Sequence, residues 1–372
     1  MALTIETIRS KKQKKEFANL PFEIYKNMPL WVPPIKSDVI HAMDVKHNPA
    51  LEYCDTEFWL AYRDGKVVGR IIGIINNLYN KKTDQKFGRF SSIEFFDDKE
   101  VFLLLMDTAI AWMKEKGMTT VHGPLGFSNL DTQGLLIEGF DHLPSVASVY
   151  HMPYYKTHLD AYGFEKENDW IEFRLTMGER ALNKANRGAE IVKKRYGFEA
   201  LKFTSNKQLL PYVKPIFAIV NEAFERLPFV TPFNDKMVDY ITKKYFKLIN
   251  PKFVSVIKKG DDIVAFMITV PSLSEAFQKA NGSLFPFGFY HILKAMKKPK
   301  VVDFFLGGAM PEYENAGAAV IMYSEVQNEM KKQGIQFMET TGIFETNLHV
   351  INNWKNFDHI QHKRRRCFIK AI

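Results

Sequence analysis

The strongest constraint on how this chain folds is an order of elements that occurs twice. Alternating apolar runs flank a tight turn at residues 58–62, 63–66 and 67–75, and again at 253–257, 258–262 and 263–270. Alternation sends every second side chain to one face, so each pair reads as a β-hairpin with a buried side. After the first hairpin, residues 89–96 read as a strand, and Asp97 with Glu100 forms an aspartate variant of the capping box. Val101, Leu104, Leu105, Ala109 and Trp112 then follow helical spacing, Gly117 stops that helix, and residues 119–122 form a strand. The second half repeats the plan with the stripe Ala319, Met322, Val326 and Met330, the stop Gly334 and a strand at 335–340. Each half closes on a short helix and a strand, at 154–164 with 170–175 and at 348–357 with 366–369.

Two amphipathic helices precede the second hairpin. Leu209, Val213, Ile216, Phe217, Val220 and Phe224 mark one, with Pro215 as a kink or a delayed start; Met237, Ile241, Tyr245 and Leu248 mark the other, with Asn234 as its cap. Residues 178–194 are rich in charge and lack apolar periodicity, which reads as a linker between the halves or as a solvated helix.

The 372 residues are 46% apolar with 31 Phe, ample core for two domains. No apolar run approaches the ~20 residues of a bilayer span, and the N-terminus lacks the apolar core of a secretion signal, so a cytoplasmic protein is expected. Cys54 and Cys367 stand at opposite ends, which suggests neither a disulfide framework nor a cysteine metal site. His122, His142, His151 and His158 show no metal-binding spacing, and no metal is expected. The net charge of +9 favours an anionic partner. The basic clusters at 11–15 and 363–366 read as solvated termini, no nucleic-acid module accompanies them, and nucleic acid is not an expected partner. Neither a Gly-x-Ser-x-Gly elbow nor a Walker loop occurs.

At residues 301–320, VVDFFLGGAMPEYENAGAAV, a buried-strand run breaks into small residues and then starts a helix. A helix start leaves N–H groups unpaired and carries partial positive charge, so Gly317, Ala318 and Ala319 would let a diphosphate approach the amides. Glu314, Gly317 and Ala319 have the spacing of the (Gln or Arg)-x-x-Gly-x-(Gly or Ala) loop, and the chain thereby resembles the GCN5-related N-acyltransferase (GNAT) superfamily. Glu314 departs from that pattern with a carboxylate. The repeated order of elements is similar to a tandem member of the superfamily. The resemblance implies an α/β (α+β) fold class with two acyl-CoA N-acyltransferase-like domains, residues 1–190 and 191–372, each a mixed, mostly antiparallel sheet flanked by helices.

The resemblance also implies that acyl-CoA lies beside the fourth strand of one domain, its pyrophosphate over the next helix start. The first half offers Phe95-Phe96-Asp97-Asp98-Lys99-Glu100 there, with three carboxylates and no glycine, whereas the second offers Gly307, Gly308, Ala309, Glu314, Gly317, Ala318 and Ala319. The second half is therefore expected to bind acyl-CoA and the first to be degenerate. Transfer to an amine needs a base and an acid. Glu345, His349 and Glu222 are the candidate bases, and Tyr313 the candidate proton donor to the departing thiolate. Glu345 also reads as a helix cap, Glu222 as a solvated carboxylate and Tyr313 as a packed ring.

Residues 123–140 read as a long, glycine-punctuated polar loop, with Asn129, Asp131, Glu138 and the nearby Tyr155 as candidates for the acceptor; Asn129 and Asp131 also read as loop-internal Asx turns. This segment is similar to a bacterial group of tandem proteins that includes acyl-CoA-dependent ceramide synthases, which implies an amino-lipid acceptor. The insertion 271–299 carries Phe277, Phe285, Phe287, Phe289 and Tyr290 before Lys294, Lys297 and Lys298. It reads as a cover over an acyl chain, as a face for peripheral contact with an anionic membrane, or as a helix packed on the core. The alternatives to acyl transfer from acyl-CoA are an aminoacyl-tRNA-dependent transferase of the peptidoglycan type and a non-catalytic binding protein. Acceptor, acyl length and oligomeric state are not legible.

Overall fold

The computed structural model describes residues 2–372; Met1, the first residue of the expected N-terminal half, lies outside them. In chain order the strands are β1 (Leu3–Thr7), β2 (Cys54–Arg63), β3 (Lys66–Asn76), β4 (Phe87–Phe95), β5 (Thr120–Gly123), β6 (Leu135–Glu138), β7 (Glu165–Thr176), β8 (Phe198–Leu201), β9 (Val254–Lys259), β10 (Asp262–Pro271), β11 (Val301–Ala309), β12 (Phe337–Thr340), β13 (Ile343–Phe344) and β14 (Asp358–Ala371). The helices are α1 (Lys11–Ile24), α2 (Lys36–His41), α3 (Asn77–Thr83), α4 (Lys99–Glu115), α5 (Tyr154–Ala161), α6 (Glu179–Tyr196), α7 (Val213–Ala223), α8 (Asp235–Tyr245), α9 (Ser274–Ala280), α10 (Gly288–Lys297), α11 (Ala318–Lys332) and α12 (Leu348–Asn353). The chain forms two compact units. One runs to Ile171 and adds Ser274–His291 and Lys363–Ile372; the other is Glu172–Leu273 with Ile292–His362.

In the first unit β1, β2, β3 and β4 pair antiparallel in sequence order. Asp64 and Gly65, with φ of 51° and 77°, make the two-residue turn of the β2–β3 hairpin, where both central positions need the left-handed region. Strand β4 then pairs parallel with β5 only from Phe87 to Arg89, and α4 forms the crossover between them. Val101, Leu105, Met106, Ala109 and Met113 of α4 are buried in the core, at about 1.5–3 kcal/mol for each large side chain. Leu105→Ala would remove one of these contacts and cost about 2–5 kcal/mol.

Residues 363–372 correct two expectations. The strand expected to close the second half instead pairs antiparallel with β5, Phe368 opposite Gly123. The basic cluster before it is no solvated terminus: Lys363 is 1% exposed and Arg365 4%. Lys363 Nζ donates to the carbonyls of Gly139 and His142, and Arg365 donates to that of Gln133. Asp169, fully buried, accepts from Arg366 Nε at 2.8 Å and from Arg364 Nη1 at 3.0 Å.

The second unit repeats the arrangement. Strands β9, β10 and β11 pair antiparallel, and β11 pairs parallel with β12 from Val301 to Phe304 while running on to Ala309. Helix α11 makes the crossover from β11 to β12. The segment read as a linker or solvated helix is α6, a helix packed on α11: Asn186 accepts from Ser324 Oγ and Asn328 Nδ2, both at 2.7 Å, and Lys193 pairs with Glu325 at 3.2 Å. Gly197, with φ of 68°, ends it in the left-handed cap that glycine provides without strain. The order strand, crossover helix, parallel strand is thus present in both units, as the duplication predicts.

Candidate functional site

In the second unit the junction after β11 is built from short steps. Gly308 and Ala309 lie in the ladder opposite Phe266 and Ala265. A 3-10 helix, Pro311–Ala316, follows and carries Tyr313 and Glu314. Gly317 then adopts φ of 80° as the residue that opens α11, and no side chain caps the helix. Its first residue, Ala318, is buried and Ala319 is half-buried. The first turn contains no acidic residue. The start of α11 therefore presents backbone amides and small side chains, which suit an anionic ligand. Glu314 is exposed to solvent. The ring of Tyr313 packs edge-on against Phe198 at 5.7 Å, with the Lys259 ammonium 5.1 Å from its centre.

The corresponding start in the first unit is closed. Asp98 caps α4 with its own carboxylate, accepting from the amides of Glu100 at 2.9 Å and Val101 at 3.3 Å. Arg63 holds Asp98 at 2.7 Å and Glu100 at 2.9 Å. The cap is Asp98, one residue beyond the Asp97 of the expected capping box.

The candidate bases lie on separate elements. Glu345 is half-buried in a turn after β13, and Asn347, which accepts from Val350 N at 3.2 Å, is the cap of α12. His349 is exposed within α12, and Glu345 lies outside that helix. Glu222 is exposed on α7.

This unit also buries a group of acidic side chains. Asp303 on β11 is 1% exposed, Glu172 on β7 1% and Glu339 on β12 6%. Asp303 and Glu339 are opposite each other in the parallel ladder. Glu339 accepts from Arg174 Nε at 2.5 Å and contacts His362 Nε2 at 2.7 Å. Burial, with further contributions from Glu339 and Glu172, pushes the Asp303 carboxyl up to about 8 despite Ser272 beside it. The available signal was a lone carboxylate inside an apolar run, Val302-Asp303-Phe304.

The first unit has a comparable buried centre around Glu94, in Ile93-Glu94-Phe95. Its carboxylate accepts from Tyr25 Oη at 2.6 Å and Tyr155 Oη at 2.7 Å, and Arg70 approaches at 3.9 Å. Burial raises the Glu94 carboxyl, and Arg70 and both phenols oppose the shift. His151 accepts from the Leu136 amide through Nδ1 at 3.2 Å, and burial depresses its pKa to about 3. Tyr155, a candidate for the acceptor, is thus a buried member of this network.

The other acceptor candidates hold the segment 123–140 together. That segment is largely buried and contains β6, whereas the sequence reads as one long polar loop. Asp131 accepts from the amide and hydroxyl of Ser128 at 2.8 and 3.1 Å, the loop-internal turn anticipated for it. Glu138 is exposed on β6 and pairs with Arg364 at 3.3 Å, while Asn129 leaves a buried carbonyl oxygen without a hydrogen-bond partner.

An open cleft of about 760 Å³ also lies in the first unit, between the end of α1 and α9. Phe22, Tyr25 and Trp31 form its aromatic wall, Tyr25 stacking on Trp31 at 5.1 Å, and Lys26, Lys36 and Lys279 are at its rim with Glu23 and Glu275. Tyr25 connects this wall to Glu94. The insertion shapes the cleft because Gln278 Nε2 donates to the carbonyls of Pro29 and Trp31 at 2.8 and 3.1 Å. Among the described residues, no group of three or more His, Cys, Asp or Glu is placed to hold a metal, and no helix is long and apolar enough to cross a membrane.

No family model matches the chain. It is 25% identical over 375 residues to Protein YghO of Escherichia coli (strain K12), covering 99% of this chain and 95% of that one. It is also 25% identical over 300 residues to the bacterial ceramide synthase of Caulobacter vibrioides, covering 79% and 77% of the two chains. Among solved structures it is similar to a tandem GNAT protein from the clavulanic acid biosynthesis pathway, at a TM-score of 0.57 and 10% identity, covering 100% of this chain and 98% of that one. A GCN5-related N-acetyltransferase from Sphaerobacter thermophilus matches at a TM-score of 0.53 and 11% identity, covering 99% and 95%. The fold is that of tandem GCN5-related N-acyltransferases.

Proposed function

We propose that this chain, which carries the tandem GNAT fold, transfers an acyl group from acyl-CoA to an amine. The observation that carries the reading is the contrast between two helix starts. Helix α11 opens on Gly317, Ala318 and Ala319 with no side-chain cap, whereas α4 is closed by Asp98. A diphosphate next to α11 would meet amide donors and the positive end of the helix; next to α4 it would meet a carboxylate. The residues present therefore fit coenzyme A in the second unit, with the amides of Ala318 and Ala319 as the anion seat. Gly308 and Ala309, small and at the end of β11, leave room along the strand, and the exposure of Glu314 lets its carboxylate turn to water.

Acyl-CoA supplies the acyl group as a thioester. Among the chain's own residues, Glu345 is the base assigned first, because it is half-buried; His349 and Glu222 are exposed and follow it. Tyr313 is assigned as the proton donor to sulfur. The acceptor assigned is an amino-lipid of the long-chain-base kind. Similarity to a protein named as a ceramide synthase supports that choice, and the aromatic wall of the first unit's cleft supports it further, since such a wall suits an apolar tail.

Isothermal titration with coenzyme A and with palmitoyl-CoA tests the reading. Saturable heat with either ligand is expected, together with a raised melting temperature. Neither heat nor a thermal shift with both ligands would remove acyl-CoA from the proposal. Mass-spectrometric detection of amide product, with long-chain and short amines in competition, tests the acceptor; a preference for the short amines would exclude the amino-lipid.

A further inference from the structure

The exposed apolar residues of this chain are concentrated in one short segment. Between Leu284 and Leu293, Phe285 is 77% exposed, Phe287 72%, Tyr290 56%, Leu293 51%, Phe289 44% and Leu284 37%. Single exposed apolar residues are ordinary, but a run of aromatic side chains in water is costly and marks a surface that is covered in use. Helix α10 buries its other side, at Gly288 and Ile292, so the aromatic face is the one left outward. Phe285 and Phe289 are 5.9 Å apart and form one apolar tip.

Charge identifies what covers it. From residue 276 to residue 302 the sequence has five lysines, Lys279, Lys294, Lys297, Lys298 and Lys300, and no carboxylate. All five are exposed. An apolar tip at the start of α10 passes into exposed lysines at its end, the amphipathic order that suits the boundary between acyl chains and anionic headgroups. A rigid base holds the tip: the Lys36 amide donates to the Gly282 carbonyl at 2.9 Å, and a side chain on Gly282 would stand 2.3 Å from the Phe22 ring.

We propose that the segment 284–298 docks on the surface of an anionic lipid bilayer, with Phe285 and Phe287 entering the acyl boundary and Lys294, Lys297 and Lys298 facing lipid phosphates. The docking goes beyond acyl transfer and does not depend on it. The test is co-sedimentation of the full chain with vesicles of phosphatidylcholine alone, or of equal parts phosphatidylcholine and phosphatidylglycerol. Sedimentation with the mixed vesicles is expected, and it should fall as salt rises. The double variant F285S/F287S should bind about tenfold more weakly, and each of K294E, K297E and K298E about fivefold or more, with melting temperatures unchanged because these side chains are exposed. Failure of the native chain to sediment, or equal sedimentation of the double variant, would overturn the proposal. So would a concentration-dependent dimer, seen by light scattering without lipid and lost in F285S/F287S, because a second copy would then be the cover.

Discussion

Gly317 faces Val192 across the packing of α11 on α6, so closely that a Cβ built on the glycine would stand 3.0 Å from Val192 Cγ2. Its φ of 80° adds a second reason for glycine. Gly317→Ala is expected to cost about 1–3 kcal/mol, read as a lowered urea midpoint. An unchanged midpoint would show that the start of α11 relaxes freely.

Because Gly317 has this structural duty, a charge test of the anion seat belongs at Ala319. An aspartate in the first turn suits the helix by about 0.3–1 kcal/mol, so Ala319→Asp should leave the melting temperature unchanged or raised. Its carboxylate would repel a diphosphate, and affinity for coenzyme A should fall about tenfold or more. Retained affinity in the folded variant would place the cofactor elsewhere. Asp98→Asn in the first unit should leave that affinity unchanged.

Asp303 gives the second unit an alkaline liability. Its folded pKa of about 8 lies above the ~3.9 of an unfolded aspartate, so the folded state holds the extra proton between those values. Stability linked to this group is full below pH ~4 and is lost as pH rises to about 8, at up to ~1.4 kcal/mol per unit of pH. Asp303→Asn keeps the shape without the charge. It should match the native chain in urea unfolding near pH 3.5 and exceed it increasingly up to pH 8; equal slopes with pH would show that the carboxyl does not stay protonated in the fold.

The first unit has an acid liability of opposite sign. His151, depressed to about 3, contributes stability that is present above its unfolded value near 6.5 and is lost as pH falls toward 3. Asp169, held low by Arg366 and Arg364 against the cost of burial, contributes above ~3.9 and loses it at still lower pH. Asp169→Asn should therefore destabilise the chain at pH 7 by about 2–3 kcal/mol, less than the ~3–5 of a fully buried pair because both arginines keep some water. The difference from the native chain should shrink below pH 3, and a constant difference in urea midpoint would refute the pairing.

Much of the site was legible only in part. The small residues at 317–319 identified a helix start that α11 confirms, since Gly and Ala before an apolar stripe have a local meaning. The Asp98 cap was missed by one residue, which is the usual uncertainty of a helix end. The burial of Glu94 and Asp303 is not legible in sequence because each is a single carboxylate in a strand, and alternation alone does not show that both faces of that strand are covered. The roles given to Asn129 and Asp131 divided in the structure: Asp131 ties its own loop, while Asn129 retains an unbonded oxygen.

The amino-acid sequence by itself determined the two hairpins, the crossover helices and their repetition, because periods of 2 and 3.6 residues and glycine stops are local and survive without knowledge of partners. Tertiary structure alone decided that Lys363–Ile372 completes the sheet of the first unit, that Ser274–His291 joins that unit as a wall of its cleft, and that Asp169, Glu94 and Asp303 are buried. Those outcomes depend on which distant strands pair and which faces they cover, and a basic or acidic residue reads the same in sequence whether water or another strand lies beside it.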